Sequence, residues 1–336
     1  MCIRDRVGTL YYFVVVSSSC GPPVTSLVTG AHTVTPLTVI TTQPVGATYC
    51  EDATATALNI GATGTGTVTY EWFTNGTSTT SGAVSVGTGT TFTPPTSSPG
   101  TRFYFAVATG TCGSVNSTII PVVVNPETAI TTQPVGATYC EDATPVALSI
   151  SATGTGTISY QWFGNTTNST VGGVAVGTNS TFTPPTSTPG TFYYYAVATS
   201  PSCGSVTSAI VPVVVNPETL ITTQPVGATY CEDTTPVPLS IAATGTGTVT
   251  YEWFSNSTNS TVGAVSVGTN ATFSPPTSTS GSRFYYAVAT GSCGIVTSNI
   301  VQVIVNPETL ITTQPVGATY CEDAPPTVLS LSLIHI

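Results

Sequence analysis

Apolar and polar residues alternate in short runs along most of this 336-residue chain, and no stretch keeps the three-to-four-residue spacing of an amphipathic helix. Runs such as Thr69-Tyr70-Glu71-Trp72-Phe73 and Phe103-Tyr104-Phe105-Ala106-Val107-Ala108 are rich in β-branched and aromatic residues and are bounded by Gly, Pro, Ser and Asn. That is the pattern of strands with one buried face. Over residues 39–128 the alternation predicts seven strands, near 40–47, 55–61, 68–73, 84–87, 90–93, 102–108 and 117–124. Strands at this spacing predict an all-β fold of antiparallel sandwiches. Trp72 follows Ile60 by twelve residues, and Tyr104, Ala106 and Ala108 share one strand face. Ile60, Trp72 and Tyr104 are therefore the candidate core.

The same pattern returns. The tridecapeptide ITTQPVGATYCED occurs verbatim from Ile40, Ile130, Ile221 and Ile311. Its cysteines are Cys50, Cys140, Cys231 and Cys321, and a second series runs Cys20, Cys112, Cys203 and Cys293, so both repeat every 90 to 92 residues. A period of that length is a whole domain, not a solenoid turn. Complete units are expected at 39–128, 129–219 and 220–309, with 7–38 closing a preceding unit and 310–330 opening a further one, in a longer parent protein. Trp162, Tyr194, Trp253 and Tyr285 repeat the core positions. Within the tridecapeptide Pro44 is expected to stop an edge strand from continuing its ladder and Gly46 to allow a bend.

Each unit has a cysteine before its second strand, Tyr70-Glu71-Trp72-Phe73, Thr93-Pro94-Pro95, the run Phe103 to Ala108 and a second cysteine, Cys112. In that order these features resemble the bacterial immunoglobulin-like domains found in tandem in secreted and surface proteins of gliding bacteria. The resemblance covers nearly the whole chain. It implies immunoglobulin-like sandwiches strung like beads, an adhesin-type role and an extracellular or cell-surface location.

The two ends read as foreign sequence. Met1–Arg6 (MCIRDR) and Leu331–Ile336 (LSLIHI) can be encoded by reverse-complementary DNA that resembles the transposon end used as a sequencing adapter. With these set aside, thirteen acidic residues face two cations, Arg102 and Arg283, and His32 is the one remaining histidine. A chain so poor in cations does not neutralise phosphates, which excludes nucleic acid as a partner. No apolar run has the length of a membrane span, so no membrane insertion is expected within the chain.

Two cysteines per unit, without a histidine pattern for zinc, read as disulfides and hence as an oxidising compartment. The expected pairing lies within each unit, Cys50 with Cys112, Cys140 with Cys203 and Cys231 with Cys293, leaving Cys20 and Cys321 without partners. One geometric objection keeps an alternative open: in an immunoglobulin-like topology the two cysteines of a unit fall at opposite ends, and Cys50 would meet Cys203, and Cys140 Cys293, in the next unit.

No catalytic residue, metal site or cofactor is expected. The pairs Glu51-Asp52, Glu141-Asp142, Glu232-Asp233 and Glu322-Asp323, with Glu127, Glu218 or Glu308, read as solvated turns more readily than as calcium ligands, and neighbouring strand residues point to opposite faces. Asn75-Gly76-Thr77, Asn168-Ser169-Thr170 and Asn259-Ser260-Thr261 are polar loops that match the glycan sequon. The expected function is a non-catalytic stalk or spacer whose partners are the neighbouring repeats. The alternatives are a filament assembled from other copies of the chain through strand edges, and a module binding surface polysaccharide or protein.

Overall fold

The computed structural model describes residues 6–334, with Leu333 and Ile334 described by backbone alone. The foreign-end reading falls in part on 1–5, 335 and 336, outside the described residues. Among the described residues every regular element is a strand. No helix there is long and apolar enough to cross a membrane.

The first complete copy is built from Val39–Thr42 (β1), Ala47–Cys50 (β2), Leu58–Asn59 (β3), Gly61–Thr63 (β4), Thr69–Asn75 (β5), Val84–Thr88 (β6), Thr91–Phe92 (β7), Gly100–Gly110 (β8), Gly113–Asn116 (β9) and Ile120–Asn125 (β10). One layer runs in the order β6-β5-β8-β10-β2, with β9 hairpinned onto β8. The facing layer pairs β1 with β4 and β3 with β7. The same arrangement recurs over 129–216 and 220–306, giving tandem immunoglobulin-like β-sandwiches.

The alternation of the strands explains what is packed between the layers. Leu58, Ile60, Trp72, Tyr104, Ala106, Ile120 and Val122 form one cluster, and Trp72, Trp162 and Trp253 are each fully buried. A buried indole needs a partner for its N–H. Trp72 Nε1 donates to Gly89 O at 3.0 Å, and Trp162 and Trp253 do the same to Asn179 O and Asn270 O at 2.9 Å. Tyr194 and Tyr285 are buried in the equivalent clusters.

Two local expectations are revised. The first strand, expected at 40–47, is two strands on opposite layers: β1 pairs with β4, then β2 crosses to β10. Pro44, buried at the crossing, has no N–H to continue a ladder. The Gln43 side chain fills in, its Oε1 accepting from Thr118 N at 2.9 Å. Gly46 is needed for a close approach, because a Cβ there would collide with the carbonyl oxygen of Pro121. Gly136 meets Pro212 O and Gly227 meets Gln302 O in the same way.

The pairing of β2 with β10 is parallel, with Ala47 opposite Val122 and Cys50 opposite Asn125. The second and third units repeat it, with Cys140 opposite Asn216 and Cys231 opposite Asn306 in parallel pairs. Among the described residues the remaining strand pairs are antiparallel.

Two measurements probe this packing. Gly136→Ala forces its strand away from Pro212 and is expected to destabilise the second sandwich by about 1–3 kcal/mol in thermal or denaturant unfolding. Burial raises the Tyr194 phenol above its ordinary value of 10.0. Stability from that group is therefore complete below pH 10 and falls as pH rises past it. Tyr194→Phe is expected to flatten the alkaline limb of circular-dichroism unfolding.

Candidate functional site

The most elaborate chemistry lies where one sandwich meets the next. In the first unit β9 and β10 together retrace β8, with Gly113 opposite Gly110 at one end and Val124 opposite Gly100 at the other. Cys112 sits in the hairpin at the first end, and Cys50, level with Asn125, sits at the second. An 11-residue strand such as β8 spans about 35 Å, whereas a disulfide needs Cα atoms within about 7 Å. Pairing within a unit is thus excluded by the direction of β2.

The bonds run between units instead. Cys50 is joined to Cys203 and Cys140 to Cys293, with Cα separations of 5.5 and 5.4 Å. The expected intra-unit pairs Cys50–Cys112, Cys140–Cys203 and Cys231–Cys293 are corrected accordingly. Cys20, Cys112, Cys231 and Cys321 are thiols in this structure.

The linker is held by the same hairpin that carries the disulfide. Thr128, buried in the linker, donates through Oγ1 to Gly204 O at 2.9 Å and Cys203 O at 3.2 Å. One junction earlier, Thr38 Oγ1 donates to Gly113 O at 2.8 Å, and one junction later Thr219 N donates to Cys293 O at 3.2 Å. The two junctions between complete units therefore each have a covalent arm from the preceding unit and a hydrogen-bonded arm from the linker, both gripping one hairpin.

The tridecapeptide supplies the preceding side of this clasp. Tyr49 Oη accepts from Thr56 N at 3.1 Å and donates to Thr56 O at 3.3 Å, which fixes the loop leaving β2. Glu51 N donates to Asn125 O at 2.8 Å and extends the parallel ladder by one bond. Asp52 has φ 57°, as do Asp142 at 57° and Asp233 at 60°. In this left-handed region Asp is better tolerated than most side chains. Asp52 N donates to Thr96 O at 3.0 Å, and Thr96 Oγ1 returns a bond to Ala53 O at 2.7 Å. The acidic pair is thus part of a turn. Among the described residues no group of three or more His, Cys, Asp and Glu is placed to hold a metal ion.

Shallow clefts at the exit ends of the first and third sandwiches offer a weaker candidate. One of about 250 Å³ is lined by Arg102, Tyr104, Pro95 and Ser98, and one of about 330 Å³ by Arg283, Tyr285, Pro276 and Ser278. In the second unit Phe192 stands where Arg102 and Arg283 stand, so the cation is not repeated. The sequon asparagine Asn75 is tied down, its Nδ2 donating to Thr79 O and Ser81 O at 2.9 Å each. None of these residues was singled out by sequence reasoning as a cleft, because the strand-end geometry that gathers them is not periodic.

The profile of the family described as "Domain of unknown function (DUF8696)" matches residues 129–217 and 222–307, more than half of the chain. The chain belongs to DUF8696. Residues 35–126 of this DUF8696 chain match the family described as "Ig-like domain CHU_C associated". No curated protein matches it. Among solved structures it is similar to the titin I-band fragment I67-I69, at 14% identity over 80% of this chain and 98% of that one, with a TM-score of 0.49. It is also similar to Drosophila OTK extracellular domains 3-5, at 20% identity over 80% and 97% of the two chains and a TM-score of 0.36. The three N-terminal domains of the bacteriophage RB49 Hoc protein give 14% identity over 76% and 96%, with a TM-score of 0.35.

Cleavage after glutamate separates the two disulfide registers. Under non-reducing conditions the peptide 128–141, carrying Cys140, is expected to be linked to 253–308, carrying Cys293. Linkage of 128–141 to 142–218, which carries Cys203, would restore the intra-unit register.

Proposed function

We propose that the chain is a non-catalytic stalk in a bacterial cell-surface or secreted protein. Its rigid modules, at 39–128, 129–219 and 220–309, hold a binding or anchoring domain away from the surface. The observation that carries this reading is the doubly held junction: a disulfide from the preceding unit and the linker threonine meet on one hairpin. Two independent attachments remove the swivel that a single peptide linker leaves. The linker Asn125-Pro126-Glu127-Thr128 adds stiffness of its own, since proline fixes one backbone dihedral. Disulfides persist in oxidising compartments, which favours an extracellular site.

The filament alternative is disfavoured by the open sheet edge. β6 and β2 are the outer strands of the larger layer, and at β6 the register shifts between Ser85 and Gly87. The equivalent edges of the second and third units are bulged too. Bulges blunt an edge against strand addition. The polysaccharide-binding alternative lacks a repeated polar lining, because Phe192 interrupts it.

Small-angle scattering on the oxidised chain tests the stalk. The expected particle is a monodisperse monomer with a radius of gyration well above the roughly 20 Å of a compact chain of this length. A compact particle would defeat the reading, ordered fibres would favour the filament, and retention on immobilised polysaccharide would favour the lectin.

A further inference from the structure

The clasps have a mechanical consequence that the stalk alone does not imply. Cys203 lies at the start of its hairpin's return strand, and Cys231 lies 28 residues further on, at the far end of the next sandwich. The residues between them are the strands Ser205–Thr207, Val211–Asn216, Leu220–Thr223 and Ala228–Cys231 and their short connections. A walk from Cys20 along the chain to Cys50, across the disulfide to Cys203 and on to Cys231 therefore passes four successive units on extended backbone alone. A second walk, from Cys112 to Cys140, across to Cys293 and on to Cys321, does the same one unit out of step. Every junction between complete units is crossed by the peptide of one walk and the disulfide of the other.

We propose that these walks are two covalent straps that carry tension along the stalk and bypass β3 to β8 of each sandwich. The inference rests on the stalk reading for its use, and on the disulfide register for its geometry. Lengths decide whether the straps are taut. Each 28-residue stretch serves two units, so about 14 residues of strap accompany a sandwich whose long dimension is set by an 11-residue strand. At about 3.4 Å per residue these are about 48 and 37 Å, and the strap must also cross the junction. Little slack remains. Load applied along the axis is then borne by covalent bonds, and β3 to β8, which bear Leu58, Trp72, Tyr104 and Ala106, are never pulled apart.

This arrangement differs from an ordinary tandem of sandwiches, in which each unit must resist force through its own hydrogen bonds. A strapped unit does not lengthen by unfolding while the disulfides are intact. Reduction converts it into an ordinary tandem, so the straps are also the point at which a reductant would turn a stiff tether into an extensible one.

Single-molecule stretching of the full chain tests the proposal. Cys20 and Cys231 are both exposed thiols and serve as handles once Cys2→Ser, Cys112→Ser and Cys321→Ser remove the competing ones. The strap between the handles holds 30 residues from Cys20 to Cys50 and 28 from Cys203 to Cys231, whereas the unbranched chain between them holds 211. The oxidised tether is expected to stiffen without unfolding steps and to stop at about 200 Å. In reductant it should give stepwise unfolding to about 700 Å. Oxidised tethers that release unfolding steps, or that pass about 200 Å with the Cys50–Cys203 peptide confirmed, would overturn the strap. That failure leaves an elongated scattering profile untouched, whereas a compact particle in solution overturns the stalk reading and not the strap's covalent arithmetic.

Discussion

The parallel pairing of β2 with β10 is the constraint on which the rest of the molecule depends. Parallel strands share a direction, so the end of β2 must lie where β10 ends, at the exit of the sandwich. That places Cys50 beside the linker at Asn125 and faces it toward the next unit's hairpin. Had β2 run the other way over the same register, Cys50 would lie opposite Val122, back from the exit and out of reach of the next unit's hairpin. The direction of one strand thus brings the cysteine to the joint, where it links one domain to the next.

Reaching that pairing requires the chain to leave one layer and join the other within a few residues, and the middle of the tridecapeptide does this. Pro44 ends the first ladder by lacking a donor, Gln43 supplies the acceptor that the second ladder's neighbour needs, and Gly46 lets the backbone pass Pro121. Tyr49 and Asp52 then hold the turn beyond the cysteine. A clasp that forms between rigid bodies tolerates little error in position. These residues set where Cys50 lies relative to the exit of its unit, and the linker threonine sets where the next hairpin lies.

The strand alternation made the fold class and the core legible. Ile60, Trp72 and Tyr104 follow from side-chain period, a local property of a strand, and all three are buried. The division of the first strand was half legible: Pro44 announced an interruption, but nothing local says that the chain resumes on the opposite layer. The disulfide register was half legible: immunoglobulin-like topology raised Cys50–Cys203 and Cys140–Cys293 as the alternative, which is the register observed, but the repeats themselves favour neither. Because the units are nearly identical, joining Cys50 to Cys112 or to Cys203 links the same two kinds of cysteine. Periodicity carries no phase that distinguishes a unit from its neighbour. Only the direction of β2, a tertiary fact, supplies it.

The same phase argument explains why copies of this motif can be alike without redundancy. The second tridecapeptide faces two units at once: Gln133, Gly136 and Tyr139 fit its own sandwich, while Cys140 fits the hairpin of the following one. A change that moved Cys140 by one residue would flip its side chain to the other face of the strand and break a bond to a neighbour whose sequence had not changed. Interchangeable junctions avoid this, since any unit bearing both halves of the clasp fits after any other. Uniformity is therefore a property of the joint more than of the sandwich, where Arg102, Phe192 and Arg283 occupy one position without disturbing the strand pairing around them.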